Sequence, residues 1–126
     1  MHIPDGYLSP QTGGLFYLAM APLWYAASRM IKKTLKARQV PYLAFSASFV
    51  FVIMMFNIPI PGGSTGHAVG GTLVAVLLGP WAALIAITVA LVVQALLFGD
   101  GGIIAIGANC FNMAFLLPFA GYYIYR

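Results

Sequence analysis

Acidic residues are almost absent: Asp5 and Asp100 are the only two carboxylates among 126 residues. Charged residues of both signs make up 6% of the chain, against about 25% in soluble domains. So little charge cannot cover the surface of a soluble fold of this length, which leaves an integral membrane protein as the class that fits. Cysteine occurs once, as Cys110 inside an apolar stretch, so no internal disulfide can form and the thiol is expected to pack as a small hydrophobe. No basic leader precedes the first apolar run and no clear small-residue cleavage site follows it, so residues 1–10 are expected to stay in the mature protein. Met1 is expected to be retained too, because its removal generally needs a small second residue. There is no phosphate-binding Gly-Lys loop, no nucleophile–base pair and no paired carboxylates, and an enzyme is not expected.

What is present is hydrophobic: 62% of the chain. A helix rises about 1.5 Å per residue, so about 20 apolar residues cross a hydrocarbon core about 30 Å thick. The pattern predicts an all-α, polytopic transmembrane bundle of about five helices forming a single domain, residues 1–126. The first helix is expected over 13–31, with Pro22 as a possible kink, and the second over 40–58, stopped by Pro59 and Pro61. A third is expected over 66–78, a break at Gly79-Pro80, a fourth helix over 80–98 and a fifth over 103–125. The stretch NIPIPGGSTGHAVGG, residues 57–71, is the most irregular in the chain, and residues 57–70 form the expected external loop. Gln94, Asn109 and Asn112 are intramembrane polar groups whose simplest role is hydrogen bonding between helices. Asp100, in GDGG, reads as a turn or helix-cap residue.

The net charge of +4 is local: Arg29, Lys32, Lys33, Lys36 and Arg38 lie within ten residues and only Arg126 lies apart. A basic cluster between two apolar runs marks a cytoplasmic loop and does not indicate nucleic-acid binding. The N-terminus then lies outside, and the second helix carries residues 57–67 to the same side. Met1, His2 and His67 therefore share the external face. If Gly79-Pro80 is a turn between two crossings, residues 99–102 are external as well; if it is a kink, they are not.

His2 and His67 are the only histidines. A terminal amine, the His2 backbone nitrogen and the His2 Nδ1 can close a five- and a six-membered chelate ring on one metal, in one plane. The backbone nitrogen must lose its proton, which Ni(II) and Cu(II) drive more readily than zinc. His67 could supply a fourth nitrogen, and a square of nitrogens suits Ni(II) or Cu(II). Pro4 would stiffen the exit from the chelate. Asp5, Ser64, Thr65 and Asn109 are the candidates to support the ligands through hydrogen bonds. The bland alternatives are a solvated tail residue for His2 and a capping or interfacial role for His67.

The motifs MHIPDGYLSP, GGSTGHAVGG and FGDGGIIAIGANCFNMA, spread over the start, middle and last third, resemble the substrate-binding membrane component of cobalt and nickel energy-coupling-factor transporters, the CbiM/NikM family. The resemblance implies that the N-terminal segment folds back into the protein from outside. It also implies that Met1 (amine), His2 (backbone nitrogen and imidazole) and His67 (imidazole) bind Ni(II) or Co(II) as the transported substrate. The implied partners are a coupling transmembrane subunit, a small accessory membrane subunit and ATP-binding cassette ATPases, in a prokaryotic plasma membrane. Members of this family usually have about seven membrane helices, and this chain ends near the fifth. The rival readings are a membrane assembly subunit with no substrate of its own, and a binding component for an organic vitamin.

Overall fold

The computed structural model describes residues 2–126. Helix α1 (Pro10–Thr34) begins three residues earlier than the apolar pattern suggests, because Ser9 caps it. The Ser9 hydroxyl accepts the Thr12 N–H at 3.2 Å, and Pro10 supplies a preset φ where no N–H is needed. At the other end Lys32 and Lys33 lie in the last turn, where cations suit the helix dipole. Pro22 sits on the exposed surface and the helix runs through it. A 3-10 turn (Ala37–Gln39) leads into α2 (Val40–Met55), which ends at Phe56, ahead of Pro59.

The stretch expected to be an irregular loop contains a small antiparallel hairpin, β1 (Ile58–Ile60) and β2 (Ser64–Gly66). Ile58 faces Gly66 and Ile60 faces Ser64 across it. Helix α3 (Gly71–Leu78) starts five residues later than expected. The strand uses residues 64–66, and Gly70, at φ +72°, adopts a left-handed conformation that the helix cannot extend back through.

Helix α4 (Pro80–Leu97) follows at once. Gly71 and Ile87 are each eight residues from Gly79, and a Cβ built on Gly71 would lie 2.7 Å from Ile87 Cδ1. The chain therefore reverses at Gly79-Pro80, and α3 and α4 form an antiparallel pair. The break is a turn, not a kink. With eight residues, α3 is only about 12 Å long, too short to cross a bilayer alone. Gly79 has φ 92° and ψ 154°, a region that only glycine occupies readily. We expect Gly79→Ala to destabilise the protein by about 1–3 kcal/mol, read from thermal or denaturant unfolding in detergent.

Helix α4 is the hub of the bundle: α1, α2, α3 and the C-terminal helical run all pack on it. Its buried face carries Ala82, Ala83, Ala86, Ala90 and Ala95, small residues that let neighbouring helices come close, with Leu84, Ile87 and Leu91 filling the space between. Gln94 is buried and donates from Nε2 to the Phe51 carbonyl of α2 at 3.3 Å, the interhelical bond expected of it. Cys110 is buried in the core as a small apolar group.

The last helical run comprises α5 (Ile106–Asn109), a π-helical stretch (Cys110–Leu116) and α6 (Leu117–Tyr125). Pro118 has no N–H to give to the Ala114 carbonyl, and the wider turns directly before it accommodate that missing bond. The architecture is the expected all-α membrane bundle, with the hairpin as the one β feature among the described residues. Two stretches, Ala37–Met55 and Pro80–Leu97, are long and apolar enough by themselves to span a bilayer.

Candidate metal centre

Residues 3–5, ahead of α1, are held by residues from the far end of the chain. The Ile3 N–H donates to Asn109 Oδ1 at 2.9 Å, and Asn109 Nδ2 donates back to the Ile3 carbonyl at 3.2 Å. The same carbonyl accepts the Gly102 N–H at 3.0 Å. Two residues on, the Asp5 carboxylate accepts the N–H groups of Ile103 and Ile104 at 3.0 and 2.9 Å. One carboxylate thus satisfies two donors of the turn leading into α5, and one amide side chain grips both polar groups of a single peptide residue.

This clamp buries His2, whose side chain is 1% exposed. The loop 99–102 forms the wall beside it. Gly101, at φ +104°, lies so close that a Cβ there would sit 3.0 Å from His2 Cβ. Gly102 likewise has no room for a side chain beside Asp5.

Nδ1 of His2 lies 3.1 Å from Asp100 Oδ1, but it is not aligned as a hydrogen bond, and Nε2 has no partner among the described residues. Burial pushes the imidazole below its usual pKa of 6.5, and the Asp100 carboxylate opposes this without overcoming it. The shift favours the neutral ring, which keeps one nitrogen lone pair available.

His67 follows directly on β2, and its ring centroid lies 5.2 Å from that of His2, with the planes tilted by 56°. Its Nδ1 is 3.3 Å from the Ala68 carbonyl. In the tautomer that makes this contact a hydrogen bond, Nδ1 donates and Nε2 keeps its lone pair, the arrangement usual for a metal-ligating histidine. Metal–nitrogen bonds of about 2.0 Å would hold two imidazole centroids roughly 4.5 Å apart in cis and about 6.3 Å apart in trans. The observed separation lies between these limits. No group of three or more His, Cys, Asp or Glu side chains is placed to hold a metal among the described residues.

The other candidates divide. Met1 lies outside the described residues. Asp5 and Asn109 hold the N-terminal segment, Asn109 through Ile3 and not, as its position on the helix suggests, through a bond between membrane helices. Ser64 and Thr65 lie on the exposed strand β2. Asn112 is exposed and is not buried between helices. Asp100 was expected only in a turn or cap. Its backbone does that work, donating to the Gln94 carbonyl at 3.1 Å, while its side chain faces His2. The available signal was the pair of Asp-Gly steps, Asp5-Gly6 and Asp100-Gly101: the chain's only two carboxylates meet at one site.

A groove of about 430 Å³ lies elsewhere, between α2 and α4, lined by Ala47, Phe51, Val89 and Val93 among others. It is apolar and includes none of the residues around His2, so it is not the site of this chemistry. The clamp itself is testable. Asn109→Leu leaves the two Ile3 groups without their side-chain partner, and we expect a loss of about 1–3 kcal/mol of stability. Faster hydrogen exchange at Ile3, measured by NMR, would accompany it.

Residues 2–126 match the family described as "Cobalt uptake substrate-specific transmembrane region". The chain is 60% identical over 128 residues to the "Probable fused nickel transport protein LarMN" of Lactiplantibacillus plantarum, covering all of this chain and 39% of that protein. It is 55% identical over 125 residues to the fused nickel transport protein NikMN of Rhodobacter capsulatus, covering 99% of this chain and 36% of that one. The crystal structure of a truncated transition metal transporter superposes with a TM-score of 0.95 at 59% identity, covering all of this chain and 59% of its own. The chain thus spans between 36% and 59% of the length of these proteins. A match along almost the whole of this sequence, joined to a near-coincident fold, places the chain in the CbiM family.

Proposed function

We propose that this chain is the metal-capturing membrane component of a nickel or cobalt importer. The observation that carries this reading is the meeting of His2 and His67, 65 positions apart in the sequence, with ring centroids 5.2 Å apart. The names of its relatives, nickel transport proteins among them, support it.

In this reading the ion exchanges its water for four nitrogens: the Met1 amine, the His2 backbone nitrogen, the His2 Nδ1 and the His67 Nε2. The amine and amide protons leave to solvent. Nδ1 of His2 now faces Asp100, so the ring makes a half-turn about its Cβ–Cγ bond as the metal arrives. That turn puts Nε2 one ring atom from the place Nδ1 leaves, still on the Asp100 side. Asp5 and Asn109 keep the segment in position throughout.

Capture takes place from outside. Helix α1, 25 residues and about 37 Å long, separates the N-terminal segment from the basic cluster at its far end, and such clusters stay cytoplasmic. Energy for release inward comes from partners: a coupling transmembrane subunit, a small accessory membrane subunit and ATP-binding cassette ATPases. Relatives named as fused nickel transport proteins accord with a further membrane component.

Elemental analysis of the purified chain after nickel loading tests the reading, with one nickel per chain expected. A membrane assembly subunit or a vitamin-binding component would carry none in stoichiometric amount. Binding is also expected to weaken on acidification. An amine with pKa about 7.7–8.0 and a deprotonated amide both take up protons as pH falls. His2, whose pKa is lowered by burial, joins that competition at a lower pH than a free imidazole would. Nickel affinity should therefore fall steadily from pH 8 to pH 6. A flat profile in calorimetric titration over this range would remove the amine and amide from the ligand set.

A further inference from the structure

We infer that Asp100 is a positioning residue for the captured metal: it balances the charge of the loaded site and holds the outer edge of the His2 ring. This rests on the reading above, and adds a residue to it. Three observations carry it.

First, the Asp100 carboxylate comes within 3.1 Å of a His2 side chain that is 1% exposed, while Asp100 itself is 30% exposed. It stands beside the ring at the edge of the buried site. Second, its place is built. The Asp100 N–H is tied to the Gln94 carbonyl, Gly101 packs against His2, and Gly102 is bonded to Ile3, so the loop and the N-terminal segment are one unit. Third, the charges require a counterion. A divalent ion bound by one amine, one deprotonated amide and two neutral imidazoles keeps a net charge of +1 in a largely buried place. Lys and Arg lie elsewhere: five of the six are in residues 29–38 and the other is Arg126. Of the two carboxylates, Asp5 already accepts two backbone N–H groups, and Asp100 is the one that faces His2. A single negative charge there brings the loaded site to neutrality.

Asp100 also has a partner in that state. Metal-bound imidazoles commonly give their remaining N–H to a carboxylate, which orients the ring and raises its basicity. With Nδ1 on the metal, the His2 Nε2–H is the free donor, on the side where Asp100 waits. The carboxylate does not itself touch the metal.

The test uses NiCl2 alone as the probe, with the full chain in detergent, and compares the parent with Asp100→Asn and Asp100→Glu. Asparagine keeps the shape and an accepting oxygen but removes the charge. The expected result is a nickel affinity about 10–100-fold weaker in Asp100→Asn, with substantial recovery in Asp100→Glu. The visible absorption band of the planar nickel site should keep its position in all three, because the ligand nitrogens are the same. The metal-free thermal midpoint of Asp100→Asn should match that of the parent. Equal affinity in Asp100→Asn and the parent overturns the inference and leaves the metal site standing. A shifted band overturns it too, because Asp100 would then be a ligand. So does a lowered metal-free midpoint with no recovery in Asp100→Glu, which marks a purely structural role. If the parent binds no nickel at all, the reading of the site fails together with it.

Discussion

His2→Ala is expected to bind nickel at least about a hundredfold more weakly than the parent, beyond the 10–100-fold that loss of an outer partner typically costs. The substitution removes the imidazole and with it the six-membered ring of the chelate. The remaining amine–amide ring then has less to offer, and the backbone nitrogen loses part of the reason to give up its proton. His67→Ala should have a smaller effect, because a water molecule can take the fourth position. Calorimetric titration with nickel, backed by circular dichroism to confirm the helical fold, checks both. His2 is anchored through its neighbours Ile3 and Asp5, so the alanine variant keeps the bonds that hold the segment. If both variants bind nickel as tightly as the parent, the site is not where we place it.

A comparable loss is expected when three residues, Gly-Ser-Gly, precede Met1. Both histidines and every side chain stay, but the free amine moves away from the His2 ring and can no longer close a five-membered chelate with its backbone nitrogen. A one-residue extension is the wrong test. It would create an amine, two amides and an imidazole in sequence, which is itself a four-nitrogen plane and needs no help from His67. Such a variant should instead bind nickel with little dependence on His67. Undiminished affinity in the three-residue extension would take the terminal amine out of the ligand set. This variant also reports on Met1, the one proposed ligand outside the described residues.

Local chemistry was the legible part. Apolar runs, Pro59 and the Gly79-Pro80 step placed the helices to within a few residues, because helix length, proline and glycine act over short distances. The proposed chelate also starts from local chemistry, since amine, amide and imidazole lie within two residues. The errors fell where a partner distant in sequence decides the outcome. The stretch 57–70 looked irregular because its strand pairing, Ile58 with Gly66, is invisible to a helical period. The start of α3 moved for the same reason. Asn109, which reads both as a bond between membrane helices and as a support for the ligands, holds Ile3, 106 positions away.

By itself the sequence determined the class, the topology signal and the identity of the two histidines. Scarce charge points to a membrane protein, clustered lysine and arginine supply a topology signal, and two imidazoles are a short list. Only the tertiary structure decided that His2 is buried, that Gly79-Pro80 is a turn, and that the loop 99–102 returns to the N-terminal segment. It alone brought Asp100 to His2, 98 positions apart. Composition and period record what each residue prefers, whereas a polar or charged side chain acquires its role from whatever the fold sets within about 4 Å of it.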